Sequence, residues 1–470
     1  MKKKEKILLI SIDSLRADHL GCYGYFRNTS PTIDTLAEES YLFEYPFSAS
    51  SYTGPSFSSL FTSKYPSFNS NGFRNWDLHP VEFKEILLQE ILQDHGFTTA
   101  AYVSNLILSR KLMRLDRGFD VYDDNLPLAE LNRPEMLYRS GEDTVSQALS
   151  FIKEKKDNNF FVWVHLMDTH GPYYLTEPYQ NLFIEDEYWS KPPVLLHRIE
   201  MTSELENITE TYIPGIFDYQ LLKKEFIEDN KMISYERNVD YYVSQYDAAI
   251  RYVDDQVKRI IRYLKELGIF EDCVIIIHSD HGEAFGENNI YFFHGLTVTL
   301  DQIHVPLIIK IPGEQGRRVS HPVSLIDIMP TILDMNQIQW DRQDSQGVSL
   351  FDEDKVRGRI IYSQAVKQLS AIQANYQFLY GKGWLERLQG NLFWKDIDPQ
   401  KRWDYRVIRV DSGIDVSALL DEKIKHVLYE NARKFIDAAN NCPVTEKVSQ
   451  TKQEEESTIR KHLSMLGYID

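Results

Sequence analysis

The chain is poor in cysteine, in uninterrupted hydrophobic length and in positive charge. Its three cysteines, Cys22, Cys273 and Cys442, stand far apart among 470 residues, with no CxxC spacing. Neither a disulfide framework nor a thiolate zinc site is therefore indicated. No apolar run approaches the roughly 18–20 residues that crossing a bilayer requires. MKKKEK carries the charge of a signal-peptide start, but the following ILLISI is short and runs into DSLRAD without a small-residue cleavage site. It reads as a first strand, and a cytoplasmic location is expected. Fifty-two basic residues against 70 acidic ones leave a net charge of -18. Such a surface repels nucleic acid and anionic lipid. An anionic substrate would need a strong local positive site, such as a metal ion. Internal repeats and low-complexity tracts are also missing.

What is present is strand–helix alternation. Five short apolar runs are continuous rather than alternating: ILLISI (7–12), TTAAYV (98–103), FFVWVHL (160–166), VIIIHS (274–279) and PLIIKI (306–311). Runs of this kind suit strands buried on both faces. Helical periodicity spans 31–41, 80–95, 142–156 and 242–267, the last followed by Gly268 as a C-cap. The expectation is an α/β fold with a large, mostly parallel sheet flanked by helices. Residues 1–355 are expected to form the main domain, interrupted at 175–235 by an aromatic, acidic and proline-containing insertion over one end of the sheet, where substrate access would be shaped. Shorter segments over 356–440 predict a smaller C-terminal α+β subdomain with a short antiparallel sheet. A polar linker and a final helix occupy 441–470.

Three of the apolar runs end in groups able to bind metal or move protons. The first leads to Asp13, the third carries His165 and leads to Asp168 and His170, and the fourth leads to Asp280, His281 and Glu283. Ligands of open α/β sheets bind outside the carboxyl ends of the strands, so these groups would converge. Asp13 could instead cap a helix, and His165, inside an apolar run, reads as a satisfied core histidine. Asp280 beside His281 is harder to dismiss, because an acid and an imidazole at a buried strand end need a partner such as a divalent cation. Thr53, in SSYTGPSFSSLF, has two readings. It is a helix N-cap with proline in the first turn, or it is a nucleophile held at the helix's positive end.

ILLISIDSLRADHLGCYG, TGPSFSSLFTSKYP, HLMDTHGPYY, IIIHSDHGEAFGE and HGLTVTLDQIHVPLIIKIPG, in that order, resemble the sulfatase branch of the alkaline phosphatase superfamily. The likeness covers nearly the whole chain and implies an alkaline phosphatase-like fold. It implies one divalent metal ion (Mn, Zn or Ca) held by Asp13, Asp280 and His281, with the oxygen of Thr53 as a further ligand. It also places His170 and His294 where the family contacts the ester oxyanion. Sulfatases of this family carry Cys or Ser in a C/S-x-P-x-R pattern that matures to formylglycine. Here the pattern reads Thr53-Gly54-Pro55-Ser56-Phe57, so no formylglycine is expected. Asp13-Ser14 also stands where many members have two adjacent acids. Asp168, His170 and His294 would be the ligands of a second metal, should one bind.

These features imply a metal-dependent phosphoester hydrolase with a covalent phospho-Thr53 intermediate and a small anionic ester as substrate. His170 and His294 then bind the substrate and serve acid–base catalysis. The alternatives are a sulfuric ester hydrolase working without formylglycine, a phosphoryl-group transferase acting on a cell-surface polymer precursor and, least favoured, an inactive binding or scaffold protein. A homo-oligomer is left open. Arg16 and Asp18 are expected to brace the turn after the first strand, His304 to be structural, and Glu283 to brace the metal histidine or start a helix.

Overall fold

Continuous apolar runs become neighbouring strands because helices cover both faces of the sheet they form. The computed structural model describes residues 5–69, 80–129, 136–173, 175–184, 239–287, 290–295, 297–342, 344–365, 368–381, 405–419 and 422–441. In chain order the main sheet comprises β1 (Lys6–Ile12), β2 (Tyr41–Phe43), β3 (Thr98–Tyr102), β4 (Val121–Asp123), β5 (Phe160–Leu166), β6 (Cys273–His278), β7 (Leu307–Lys310) and β8 (Arg317–Val319). Their spatial order is β8-β2-β7-β6-β1-β5-β3-β4. The pairings are parallel except those of β7, which runs antiparallel to both β6 and β2. The run at 306–311 is thus a strand, but a reversed one.

Alternate residues of each strand feed two cores. Ile7, Leu9, Trp163 and Ile276 face one side, together with Phe57 and Phe61 of helix α2 (Thr53–Thr62). Leu8, Ile10, Val162, Val164 and Ile275 face the other. There they pack on α1 (Pro31–Glu38), α3 (Gly141–Lys155) and the 28-residue α4 (Val239–Glu266). A fully buried Ile or Leu contributes about 1.5–3 kcal/mol, so this two-sided burial holds the strand ends in place. The helix expected over 80–95 begins only at Leu88 and ends at Asp94, and that expected over 31–41 ends at Glu38, leaving Tyr41 to open β2.

The smaller unit is an antiparallel sheet of β9 (Ile361–Ala365), β10 (Gln368–Gln373), β11 (Tyr376–Gly381) and β12 (Tyr405–Arg409). Helix α5 (Glu422–Asn441) covers it through Leu428, Ala432, Phe435 and Ile436. Its edge strand grips the segment that precedes α2. Gln364 N donates to Ala49 O at 2.9 Å, and Ser363 Oγ donates to Ser48 O at 2.6 Å. Most of the 175–235 insertion and all of 442–470 lie outside the described residues. No helix among those described is long and apolar enough to cross a membrane.

Helix α4 also reaches the turn after β1. The Tyr246 hydroxyl donates to Ser14 O at 2.9 Å and accepts from Arg16 N at 2.8 Å. Ser14 sits in the left-handed region at φ 58°, a conformation that needs such external support. Tyr246→Phe would leave two buried backbone groups unpaired. It is expected to cost about 1–3 kcal/mol in denaturant melts.

Candidate active site

Asp13 and Asp280 follow the adjacent strands β1 and β6, and parallel pairing brings their carboxylates to one spot although 267 positions separate them in the chain. Both are fully buried. Ser14 links them, its Oγ donating to Asp13 Oδ1 at 3.0 Å and its N to Asp280 Oδ1 at 3.3 Å. Asp280 Oδ1 also accepts from His281 N at 3.0 Å, whereas Oδ2 has no hydrogen-bond partner. Burial, and then the charge of Asp13, push the Asp280 carboxyl well above its usual range. Burial acts on Asp13 in the same sense. The His165 imidazole, 3.5 Å away, and the charges of His170 and His281 nevertheless hold it well below the usual carboxylate range. An unpartnered carboxylate oxygen beside a second buried carboxylate is what a divalent cation would satisfy. The residues present therefore fit the expected ion.

His281 turns its Nε2 towards both carboxylates, 3.7 Å from Asp13 Oδ1 and 3.5 Å from Asp280 Oδ2. Its Nδ1 lies 2.9 Å from Gly282 O. A carbonyl only accepts, so Nδ1 carries the proton and Nε2 presents its lone pair. Burial and the neighbouring His294 lower the His281 pKa to about 3, which keeps the ring neutral. Thr53 Oγ1 stands 3.1 Å from that Nε2.

Thr53 is not a cap. Tyr52 holds the N-cap position of α2 and makes no side-chain cap bond, so the Thr53 hydroxyl is left for the site. Ser56 Oγ donates to Asp280 O at 2.7 Å and ties the helix to the same loop. Phe57, at the position where the family pattern has arginine, is buried in the core. Its ring lies 5.0 Å from Trp163 and 5.4 Å from His165.

The remaining predicted site residues extend the cluster. The rings of His281 and His294 stack with centroids 4.2 Å apart, and His170 meets His294 edge-on at 5.1 Å. His170 Nδ1 lies 2.5 Å from Gly171 O, and His294 Nδ1 lies 3.1 Å from Glu283 Oε2. Both anchor through Nδ1. Thr53, His170 and His294 are between 2 % and 8 % exposed.

Glu283 thus braces His294, not His281 as the sequence suggested, and burial raises its pKa to about 7. Arg16 does brace the turn, with a two-pronged bond to Asp18 and further bonds to Glu283 O and Glu287. His304 bonds Glu44 O at 2.9 Å and stacks on Tyr45, a structural role.

Two residues near the carboxylates were missed or misread. Asn105 donates from Nδ2 to Asp13 Oδ2 at 2.8 Å while its Oδ1 accepts from Ile107 N at 2.9 Å, which fixes the amide. Its only sequence signal is that of a cap before LIL. His165, read as a satisfied core histidine, has neither ring nitrogen hydrogen-bonded and places Nε2 3.5 Å from Asp13 Oδ2.

Asp168, offered as a ligand for a second metal, turns its Oδ1 to Gly141 N, 3.0 Å away at the start of α3. Burial raises its pKa to about 6 from 3.8. A raised carboxyl pKa adds stability below pH 3.8 that is lost as pH rises through 6. Asp168→Asn is therefore expected to gain on the wild type by up to about 3 kcal/mol between pH 4 and pH 8, read from parallel denaturant melts.

A family model described as Sulfatase matches residues 5–338. Among curated relatives, the ulvan-active sulfatase of Formosa agariphila is 24% identical over 358 residues, covering 72% of this chain and 62% of the relative. Lipoteichoic acid synthase 1 of Bacillus subtilis is 31% identical over 122 residues, 24% of this chain and 19% of that protein. The chain therefore spans less than two thirds of the length of these two relatives. Among solved structures, the phosphonate monoester hydrolase of Agrobacterium radiobacter superposes with a TM-score of 0.66 at 18% identity, covering 93% of this chain and 96% of that one.

Proposed function

The chain belongs to the sulfatase family, and from that premise we propose that it hydrolyses phosphate mono- or diesters through a covalent phospho-Thr53 intermediate. The observation that carries this reading is the Thr53 hydroxyl, 3.1 Å from a neutral His281 nitrogen beside two buried carboxylates. A threonine cannot supply the formylglycine of the usual sulfatase route, and Phe57 removes the arginine of that pattern. The likeness in fold to a phosphonate monoester hydrolase is compatible with attack at phosphorus.

Asp13, Asp280, His281 and the Thr53 oxygen would hold one divalent ion. Such an ion, when bound, lowers the pKa of a coordinated hydroxyl and neutralises charge on ester oxygens. Thr53 Oγ1, its proton released to solvent, attacks phosphorus in line, forming the Oγ1–P bond as the bond to the leaving oxygen breaks. His170 and His294 bind the non-bridging oxygens through Nε2, and one of them, as imidazolium, gives its proton to the departing alkoxide. Water next attacks the phospho-threonine, giving a proton to the histidine that has just lost one; the Oγ1–P bond breaks, Oγ1 is reprotonated, and phosphate leaves, or a phosphate monoester where the substrate was a diester. The stacked His281–His294 pair keeps nucleophile and acid in register, and Glu283 fixes the ring of His294.

The sulfatase reading is favoured by the ulvan-active relative, and a transferase reading by the shorter match to lipoteichoic acid synthase 1. One assay separates them. Protein stripped of metal and reloaded with Mn, Zn, Ca or Mg is offered an aryl phosphate monoester, an aryl phosphodiester and an aryl sulfate. Metal-dependent phosphoester turnover supports the proposal. Preference for the sulfate sinks it, and phosphoryl transfer to added glycerol at the expense of hydrolysis moves it to the transferase class.

A further inference from the structure

We infer that His165 is a metal ligand through Nε2, and that the resulting donor set selects a transition metal over calcium or magnesium. This inference rests on the metal site of the proposed function and adds a ligand that neither the family resemblance nor the sequence pattern assigned.

Register places it there. Ser11 of β1 pairs with His165 on one side and with His278 on the other. Parallel partners project to the same face, so these three side chains form one layer above Leu9, Trp163 and Ile276. Asp13 and Asp280 stand two residues further along the same face. The ligand atoms of Asp13, His165 and Asp280 all lie within 4.8 Å of one another. Donors on one ion with bonds of about 2.1 Å are separated by about 3–4.2 Å, so only a slight contraction is needed.

The environment of the ring excludes the bland alternative. His165 is 0 % exposed, and neither Nδ1 nor Nε2 has a hydrogen-bond partner. The rings of Phe57 and Trp163 pack edge-on against it at 5.4 and 6.3 Å and offer no acceptor. Leaving a buried polar group unsatisfied costs about 1–3 kcal/mol, and a core that needed only bulk here could use phenylalanine. Asp13 Oδ2, at 3.5 Å from Nε2, is beyond good hydrogen-bond distance and already accepts from Asn105 at 2.8 Å. An ion between Nε2 and the two carboxylates satisfies the imidazole and Asp280 Oδ2 together. His281 approaches through Asp13 Oδ1 and Asp280 Oδ2, so the two imidazoles address different oxygens of Asp13. Two imidazoles, two carboxylates and a hydroxyl suit zinc or manganese, whereas calcium and magnesium take oxygen donors.

The test counts nitrogens and measures affinity, neither of which depends on turnover. Protein loaded with Mn²⁺ is studied by pulsed EPR for ¹⁴N couplings, and Kd values for Zn²⁺, Mn²⁺ and Ca²⁺ come from competition with a chromophoric chelator. The wild type should show two histidine nitrogens, and His165→Ala and His281→Ala one each. His165→Ala should lose at least about 100-fold in Zn²⁺ affinity. Should the alanine variant fail to fold, as judged by the thermal melt of metal-free protein, His165→Phe keeps a ring among Phe57 and Trp163 without a donor. Two nitrogens persisting in either variant, with affinity within about threefold of wild type, would overturn the assignment and leave the rest of the metal site standing. Tighter binding of Ca²⁺ than of Zn²⁺ and Mn²⁺ overturns the metal class. A wild type that binds no ion removes the metal-site reading itself.

Discussion

Thr53→Ala is expected to abolish ester cleavage, with kcat falling on the order of 10⁴-fold or more, the scale on which losing a nucleophile acts. The fold should not follow. Thr53 is not the N-cap of α2, which Tyr52 occupies, and its hydroxyl makes no cap bond whose loss would loosen the helix. Melts of metal-free wild type and variant should therefore differ by no more than about 1–3 kcal/mol, the cost of leaving the buried His281 Nε2 without the Thr53 hydroxyl. Thr53→Ser should keep part of the activity, since it retains the hydroxyl. Mass spectrometry of protein quenched during turnover should show a phosphate adduct on the peptide containing Thr53 in the wild type and none in the alanine variant. An alanine variant that still turns over at more than a hundredth of the wild-type rate would dispose of the covalent mechanism.

Asp280→Asn should separate function from stability. The wild-type carboxylate has one oxygen without a partner and lies against Asp13 in full burial. Without a cation, that is the unfavourable case of charge removed from water. The asparagine variant should bind metal on the order of 100-fold more weakly or worse, and should lose activity accordingly. Its metal-free form should be more stable than the wild type, by about 1–3 kcal/mol at pH 8. The sign follows from the raised pKa in the folded state. Wild-type Asp280 is at no disadvantage below pH 3.8, and its cost grows as pH rises above that value. The gain of the variant should therefore shrink as pH falls towards 4 and vanish when saturating metal is added. Equal stability of the two metal-free proteins at pH 8 would mean that Asp280 finds compensation elsewhere.

Much of this site was legible because strand order and strand ends act together. ILLISI, FFVWVHL and VIIIHS were recognisable as doubly buried strands, and they become the adjacent trio β5-β1-β6. Polar residues just past such strands must converge, which is why Asp13, Asp280 and His281 could be named without coordinates. Periodicity is silent about lateral contacts, and the misreadings lie there. His165 has the pattern of a core residue, and only the register against Ser11 shows that it reaches the carboxylate layer. Asn105 looks like a cap and is one, while its other amide atom holds Asp13. Glu283 was two residues from its expected partner and bonds one eleven positions away. The reversal of β7 was hidden for a similar reason, since a run buried on both faces reads alike in either direction.

The candidate ligands lie at positions 13, 53, 165, 280 and 281, joined only by the pairing of β1 with β5 and β6. No short segment holds two carboxylates and an imidazole at the spacing the folded sheet gives them. During synthesis the first ligand must therefore wait while some 267 further residues are added, and a fragment ending before β6 has no site. Contacts of such sequence separation form late and slowly. An ion held by these residues would serve as a seal on a finished sheet and not as a template for it, and a chain released too early should have no means of capturing it.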